Sequence, residues 1–423
     1  MKNKEKLIPE LRFPEFKNEE EWENIELGKI SEIVRGGSPR PIQDYLTNNE
    51  NGLSWLKIAD VAPDSKYITG TKEKVIKEAL SSTRKVNPGD LILSNSMSFG
   101  RPYILKIRTC IHDGWIAIRK ISNKTFEDYL YYYISSETSQ KYFNTNAAGA
   151  AVKNLNADII KLLPIRLSKN RKEQQKIASC LSSLDEVIEA HSQKLELLKE
   201  HKKGLLQNLF PQEGEKVPKV RFKEFEKDGE WVETTLENNC EVKGRIGYRG
   251  YTTQDLVSQG EGALVLGGKH IQNQLLELKD PTYLSWEKYY ESPEIMVEVG
   301  NIIFSQRGTL GDCAMIDREI GAATINPSMV LIKNITCDAR FLYYILIGDC
   351  IQEQVQKNRS NGAIPMLSQK QIKEFSFLIP KPKEQQKIAS CLSSLDNLIT
   401  SQTEKIEQLK LHKKGLMQGL FPK

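Results

Sequence analysis

Thirteen consecutive residues, EQQKIASCLSSLD, stand at Glu173–Asp185 and again, letter for letter, at Glu384–Asp396. They are the core of a longer match, in which 27 of 39 positions agree between Glu173–Pro211 and Glu384–Pro422, both copies ending in Leu-Phe-Pro. A second echo precedes each globular stretch: Leu11–Phe16 (LRFPEF) is answered by Val220–Phe225 (VRFKEF), and Trp22 by Trp231. Between these anchors only isolated points agree. Gly89-Asp90 with Ile92 and Ser94 falls against Gly300-Asn301 with Ile303 and Ser305, and Gly100 against Gly311. A period near 210 residues is far too long for a solenoid. The chain reads as two tandem units, with diverged bodies at 1–169 and 213–381 and near-invariant tails at 170–212 and 382–423.

The tails carry a heptad seam. Ile177, Leu181, Leu184, Ile188, His191, Leu195, Leu198, Lys202, Leu205 and Leu209 follow alternating steps of four and three. Ile388, Leu392, Leu395, Ile399, Gln402, Ile406, Leu409, Lys413, Leu416 and Leu420 repeat the pattern. A strict a/d stripe this narrow predicts a partner helix rather than a broad core-facing surface. Glu173 and Glu384 at the front, and Lys202-Lys203 and Lys413-Lys414 at the back, suit the helix macrodipole. The polar positions His191 and Gln402 are each fifth of ten. An antiparallel pairing of the two tails brings both near the centre, and the pair would be roughly 50 Å long.

Composition limits what such a chain can do. Sixty basic against 55 acidic residues leave a charge of +5, which neither demands nor excludes nucleic acid. No apolar run reaches membrane-spanning length, and the start, MKNKEKLIPE, has no signal-like apolar stretch. Seven cysteines without a Cys-x-x-Cys pair suggest reduced thiols in a cytoplasmic protein. Catalytic signatures fail on inspection. Gly267-Gly268-Lys269 lacks the rest of a phosphate loop, and Asn87-Pro88-Gly89 and Asn326-Pro327-Ser328 only approach a methylase Asn-Pro-Pro run. Pro63-Asp64 reads as a turn.

The bodies carry another signal. Asp90–Leu93 and Asn301–Phe304 read as strands opened by a Gly turn, each running into a loop rich in hydrogen-bonding side chains. The first loop offers Ser94, Asn95, Ser96 and Arg101; the second offers Gln306, Arg307 and Thr309. Such groups pair with base edges and phosphates. Lys57, Lys269 and His270 stand at the ends of two further strand-like runs, and Ala147–Lys153 and Ser360–Met366 are late small-residue loops, the first ending in Lys153. Tyr129, Tyr131, Tyr132 and Tyr133, matched by Phe341, Tyr343 and Tyr344, read as a helix packed into the core rather than a stacking platform.

A divergent body, a conserved helix opening in EQQKIAS, a second body and a second such helix resemble the specificity subunit of type I restriction–modification enzymes. The resemblance spans essentially the whole chain. It rests on the two EQQKIASCLSSLD copies, KKGLLQNLFP and KKGLMQGLFP, and the body openings. It implies two target-recognition domains of α+β fold, pseudo-symmetric and held apart by the antiparallel helix pair, each reading half of a bipartite double-stranded DNA site. It further implies two methyltransferase subunits docked on the helices and two restriction subunits. The chain itself would hold no cofactor or metal and no catalytic residue, since S-adenosylmethionine, ATP and Mg2+ would belong to the partners. A stand-alone methyltransferase would need motifs absent here. A coiled-coil adaptor without DNA recognition would leave both bodies unexplained.

Overall fold

The structure is a computed structural model and describes residues 7–62, 65–95, 99–147, 155–360 and 365–422. The candidates Ser96 and Lys153, and the Pro63-Asp64 turn, lie outside the described residues. The chain forms two compact units: residues 1–192 with 404–423, and residues 193–403. Each unit is α+β, and each contains one body, the head of that body's own tail and the end of the other tail.

In the first unit a mixed sheet runs in the order Glu32–Arg35, Trp115–Arg119, Leu91–Ser94, Pro102–Leu105, Tyr67–Ile68. Its central strand is apolar on both faces, Leu91 to Leu93 being fully buried, so it reads as a continuous hydrophobic run rather than an alternation. The turn before it needs a left-handed residue, and Gly89 supplies φ +88°. A second sheet, Glu73–Val75, Leu53–Leu56, Thr109–Ile111, Arg84–Val86, has a parallel central pair. The second unit repeats the plan. Ile302–Ser305 lies between Met329–Lys333 and Cys313–Met315, with Glu241–Gly244 at the edge, and Gly300 at φ +90° opens the strand. Gly262–Leu266 pairs in parallel with Ala323–Ile325.

The tyrosine runs are helices, Glu127–Ser135 and Ala339–Ile347, buried against these sheets as the spacing predicts. The tails are single long helices, Arg171–Asn208 and Pro382–Leu420. Their seam positions are buried or half-buried, whereas Val187, Leu197, Leu398 and Leu411 off the seam are exposed. Gln402 is 7 % exposed, and His191 is half-buried.

Each body grips the head of its tail in the same way. Arg12 donates from Nε and Nη2 to both oxygens of Glu173, at 2.6 and 2.9 Å; Arg221 does so to Glu384, at 2.8 and 2.7 Å. Both carboxylates are 1 % exposed. Next to these pairs, Lys176 lies over Phe13 and pairs with Glu15, and Lys387 lies over Phe222 and pairs with Glu224. The body openings and the tail heads thus recur together because they are two halves of one joint. Further along, the Tyr132 hydroxyl donates to Asp185 and the Tyr344 hydroxyl to Asp396, each at 2.7 Å.

The far end of the opposite tail completes each unit. In the first, Lys413 pairs with Asp185, and Phe421 sits edge-on to Tyr129 and Tyr133 at 5.7 and 5.4 Å. In the second, Lys202 pairs with Asp396 at 2.6 Å, and Phe210 meets Trp231 and Phe341. Within each unit, therefore, the end of one tail helix lies against the start of the other, which is the antiparallel pairing the polar seam positions predict.

Candidate nucleic-acid interface

In the second unit the strand Ile302–Ser305 delivers its loop to a meeting point of four segments. Gln306 donates its amide N–H to the Ser328 carbonyl at 2.9 Å and its Nε2 to the Pro327 carbonyl at 3.0 Å. Its carbonyl accepts from the Leu367 N–H, and the Gly308 N–H donates to Pro365. A side chain on Gly267 would stand 2.4 Å from the Asn326 amide nitrogen, and one on Gly268 would lie 3.6 Å from the Thr309 hydroxyl. The turn 267–270, the loop 305–311, the turn 326–328 and residues 365–367 therefore form one surface. Arg307 and Thr309 are exposed on it and Gln306 is half-buried; the Arg307 guanidinium lies 3.8 Å from the Met366 sulfur. This grouping sets planar donors beside amide and hydroxyl groups, the chemistry that reads base edges in a groove.

The first unit builds the corresponding surface around Asp113. Its carbonyl accepts from Asn95 Nδ2 at 2.9 Å and Arg35 Nε at 3.1 Å, while its carboxylate accepts from the Ser38 hydroxyl at 2.9 Å and faces Arg40 at 3.5 Å. The late loop joins too, since the Leu155 N–H donates to the Asn95 carbonyl at 3.2 Å. Arg35 and Arg40 are exposed here, the latter 82 % in its side chain.

Several sequence candidates hold these surfaces instead of lining them. Ser94 and His270 have no exposed surface and Asn95 only 3 %, so none offers a donor to an outside partner as the loops stand. His270 Nδ1 accepts the Gly267 N–H at 3.1 Å and fixes the turn; in the first unit Asp60 does this for the Lys57 N–H at 2.9 Å. Burial, with Lys269 adding to it, lowers the His270 pKa, so the ring stays a neutral acceptor. The His112 pKa is likewise lowered by burial, despite Asp113 beside it, and its Nδ1 accepts the Gly114 N–H at 2.7 Å. Lys57 is paired with Glu73, and Lys269 is tied to the Asp280 carbonyl and the Thr282 hydroxyl. Arg101 is half-buried with its guanidinium 5.8 Å from the Tyr103 ring centre, at the edge of the loop cluster.

Some members escaped the sequence reading. Asp113, Ser38 and Arg40 are carried by GGSPRP and HDG, whose Gly-Pro punctuation signals turns but not their meeting. Asn326-Pro327-Ser328, set aside as a failed methylase motif, is the turn that seats Gln306. Arg245, 8 % exposed, donates to the Ile325 carbonyl and the Thr324 hydroxyl just before that turn, and to the Arg249 carbonyl at 3.4 Å. Among the described residues no group of His, Cys, Asp and Glu is placed to hold a metal ion, and no helix is long and apolar enough to cross a membrane.

Two units of one plan, each ending a central strand in a polar surface and clasping shared helices, define a duplicated recognition protein. The profile of the type I restriction modification DNA specificity domain matches residues 19–200 and again 230–411, and the chain belongs to that family. It is 22 % identical over 415 residues to the type I restriction enzyme MjaVIII specificity subunit of Methanocaldococcus jannaschii, covering 95 % of this chain and 92 % of that one. To the putative MjaX specificity subunit of the same organism it is 25 % identical over 422 residues, covering 95 % and 93 %. The type I restriction–modification S subunit from M. genitalium shares the fold at TM-score 0.58 and 17 % identity, over 98 % of this chain and 99 % of that one. A chain from a structural study of type I complex assembly and conformational transition also gives 0.58, at 15 % identity, over 95 % and 97 %.

Proposed function

We propose that this chain is the non-catalytic, cytoplasmic specificity subunit of a type I restriction–modification complex, each unit reading one half of a bipartite double-stranded DNA site. The observation that carries the reading is the pair of polar surfaces at equivalent strand ends, built from different side chains on one scaffold. Different side chains on a common frame are what reading two different half-sites requires. Two methyltransferase subunits would dock on the tails, joined by two restriction subunits, with S-adenosylmethionine, ATP and Mg2+ held by those partners.

The repeat itself supports the docking. Internal packing accounts for its Glu, its first Gln, its Lys, Ile, Ala and Leu residues and its Asp. It does not account for Gln175, Ser179 and Ser183, or for their copies Gln386, Ser390 and Ser394, which are exposed at successive turns of one helix face. Two identical exposed stripes suit two copies of one partner. The test is long-read methylation mapping in cells expressing this chain with its methyltransferase subunit. A split motif with methyladenine in both halves is expected; methylation confined to one uninterrupted motif would overturn the reading.

A further inference from the structure

A cavity of about 500 Å3 opens in the first unit, between Arg101 at the end of the recognition loop, Tyr131 and Gln140 on the body helices, and Lys410, Lys413 and Lys414 on the second tail. Its charge balance is one-sided. Among the described residues the one carboxylate on its wall is Glu137, already engaged by Lys141 at 2.7 Å and by the Gln418 side-chain amide at 2.7 Å. Lys413 is occupied by Asp185. Lys410 makes a surface pairing with Glu407, three residues back on the same helix, a contact that holds a lysine weakly. Lys414 is exposed. One neutral donor completes the wall, the Tyr131 hydroxyl, whose pKa burial raises; the Gln140 amide spends both its hydrogens on the Gly100 and Ile134 carbonyls, at 3.0 and 2.8 Å, and holds the wall in place.

We propose that this cavity is an anion site for a phosphodiester of the DNA backbone, with Arg101, Lys410 and Lys414 as its cations. The inference rests on the DNA-recognition reading above and deepens it by assigning a sequence-independent anchor to the tail helix. The occupant follows from the construction. A free phosphate is usually held by converging backbone N–H groups at a helix start or nest, and here the groups are long side chains around an open cavity. Such cations suit a phosphate already positioned by its neighbours in a duplex, where each contact contributes through charge. Arg101 directly follows Gly100, whose N–H donates to the Ser94 carbonyl at 3.0 Å, so the cavity's arginine stands beside the end of the strand that leads to the first unit's polar surface. The three lysines recur as Lys199, Lys202 and Lys203, but Asp312 stands where Arg101 would be. The anchor therefore belongs to the first unit.

The experiment measures binding of the full-length chain to labelled duplexes of several unrelated sequences over a salt series, for the wild type, Arg101→Gln/Lys414→Gln and Lys203→Gln. The double variant is expected to bind every duplex about tenfold or more weakly, with the slope of log K against log salt reduced by about one for each cation removed and the ranking of sequences unchanged. Lys203→Gln should change the slope less. A double variant with wild-type affinity and slope overturns the proposal. So does a changed ranking, which would make Arg101 a base reader, or intact DNA binding with loss of the methyltransferase subunit, which would give the cavity to an acidic protein face. Inorganic phosphate that displaces the duplex at matched ionic strength from the wild type but not from the double variant would assign the site to free phosphate. A wild-type chain that binds no duplex at any salt removes the DNA reading itself, and the proposal with it.

Discussion

At the scale of single residues, position in a strand decides who can read and who must hold. Ser94 and His270 attract notice in the sequence for the same reason as Arg307 and Thr309: all are polar groups at strand ends. Sequence alone does not show which way a side chain turns once the strand has ended, and the two in question turn inward. Arg307 remains exposed beside Gln306 and Thr309, so it is the strongest candidate for a base contact in the second unit. Arg307→Ala is predicted to lower discrimination at one position of one half-site by about 1–3 kcal/mol, the worth of a bidentate arginine contact, and to leave the other half-site unaffected. Relative methylation rates on duplexes varied one base pair at a time would check this. Equal loss on all sequences would make Arg307 a backbone anchor instead.

At the scale of elements, the helices were legible because heptad spacing and the repeat both act over long stretches. The strands Leu91–Ser94 and Ile302–Ser305 were legible because Gly turns frame short apolar runs. What the sequence concealed was the joint between body opening and tail head, since Arg12 and Glu173 are 161 residues apart. The repetition of both segments hinted at it. Such a buried bidentate pair is costly to break from one side, because the remaining charge stays in a dry site. Arg12→Ala should destabilise the first unit by about 3–5 kcal/mol, and Arg221→Ala the second by a similar amount. Denaturant unfolding followed by probes placed separately in each unit would resolve the two effects. A loss below about 1 kcal/mol, the range of exposed pairs, would show that water enters the joint.

At the scale of the whole molecule, each compact unit is completed by the end of the other tail, and that arrangement predicts how half a chain behaves. Residues 1–212 contain the first body and the whole first tail. What they lack is the end of the second tail, which supplies Lys413 to Asp185 and Phe421 to Tyr129 and Tyr133. The first tail carries the same residues at those places, Lys202 and Phe210. A second copy of the half-chain can therefore provide what the first is missing, and the relation is reciprocal, as a two-fold dimer requires. One position does not transfer cleanly. Gly419 packs where a side chain would come within 2.5 Å of the Leu11 side chain, and the first tail has Asn208 there. Leu11 is 47 % exposed and can turn aside, so the mismatch weakens the dimer without forbidding it. The half-chain is predicted to be a homodimer at tens of micromolar, tightened several-fold by Asn208→Gly, and with methyltransferase subunits to modify a palindromic form of the first half-site. Sedimentation equilibrium of both forms tests the first part and methylation mapping the second. A monomeric half-chain, or an Asn208→Gly variant that dimerises no better, would mean that the tail end is seated by contacts other than those with Asp185, Leu11 and the tyrosines.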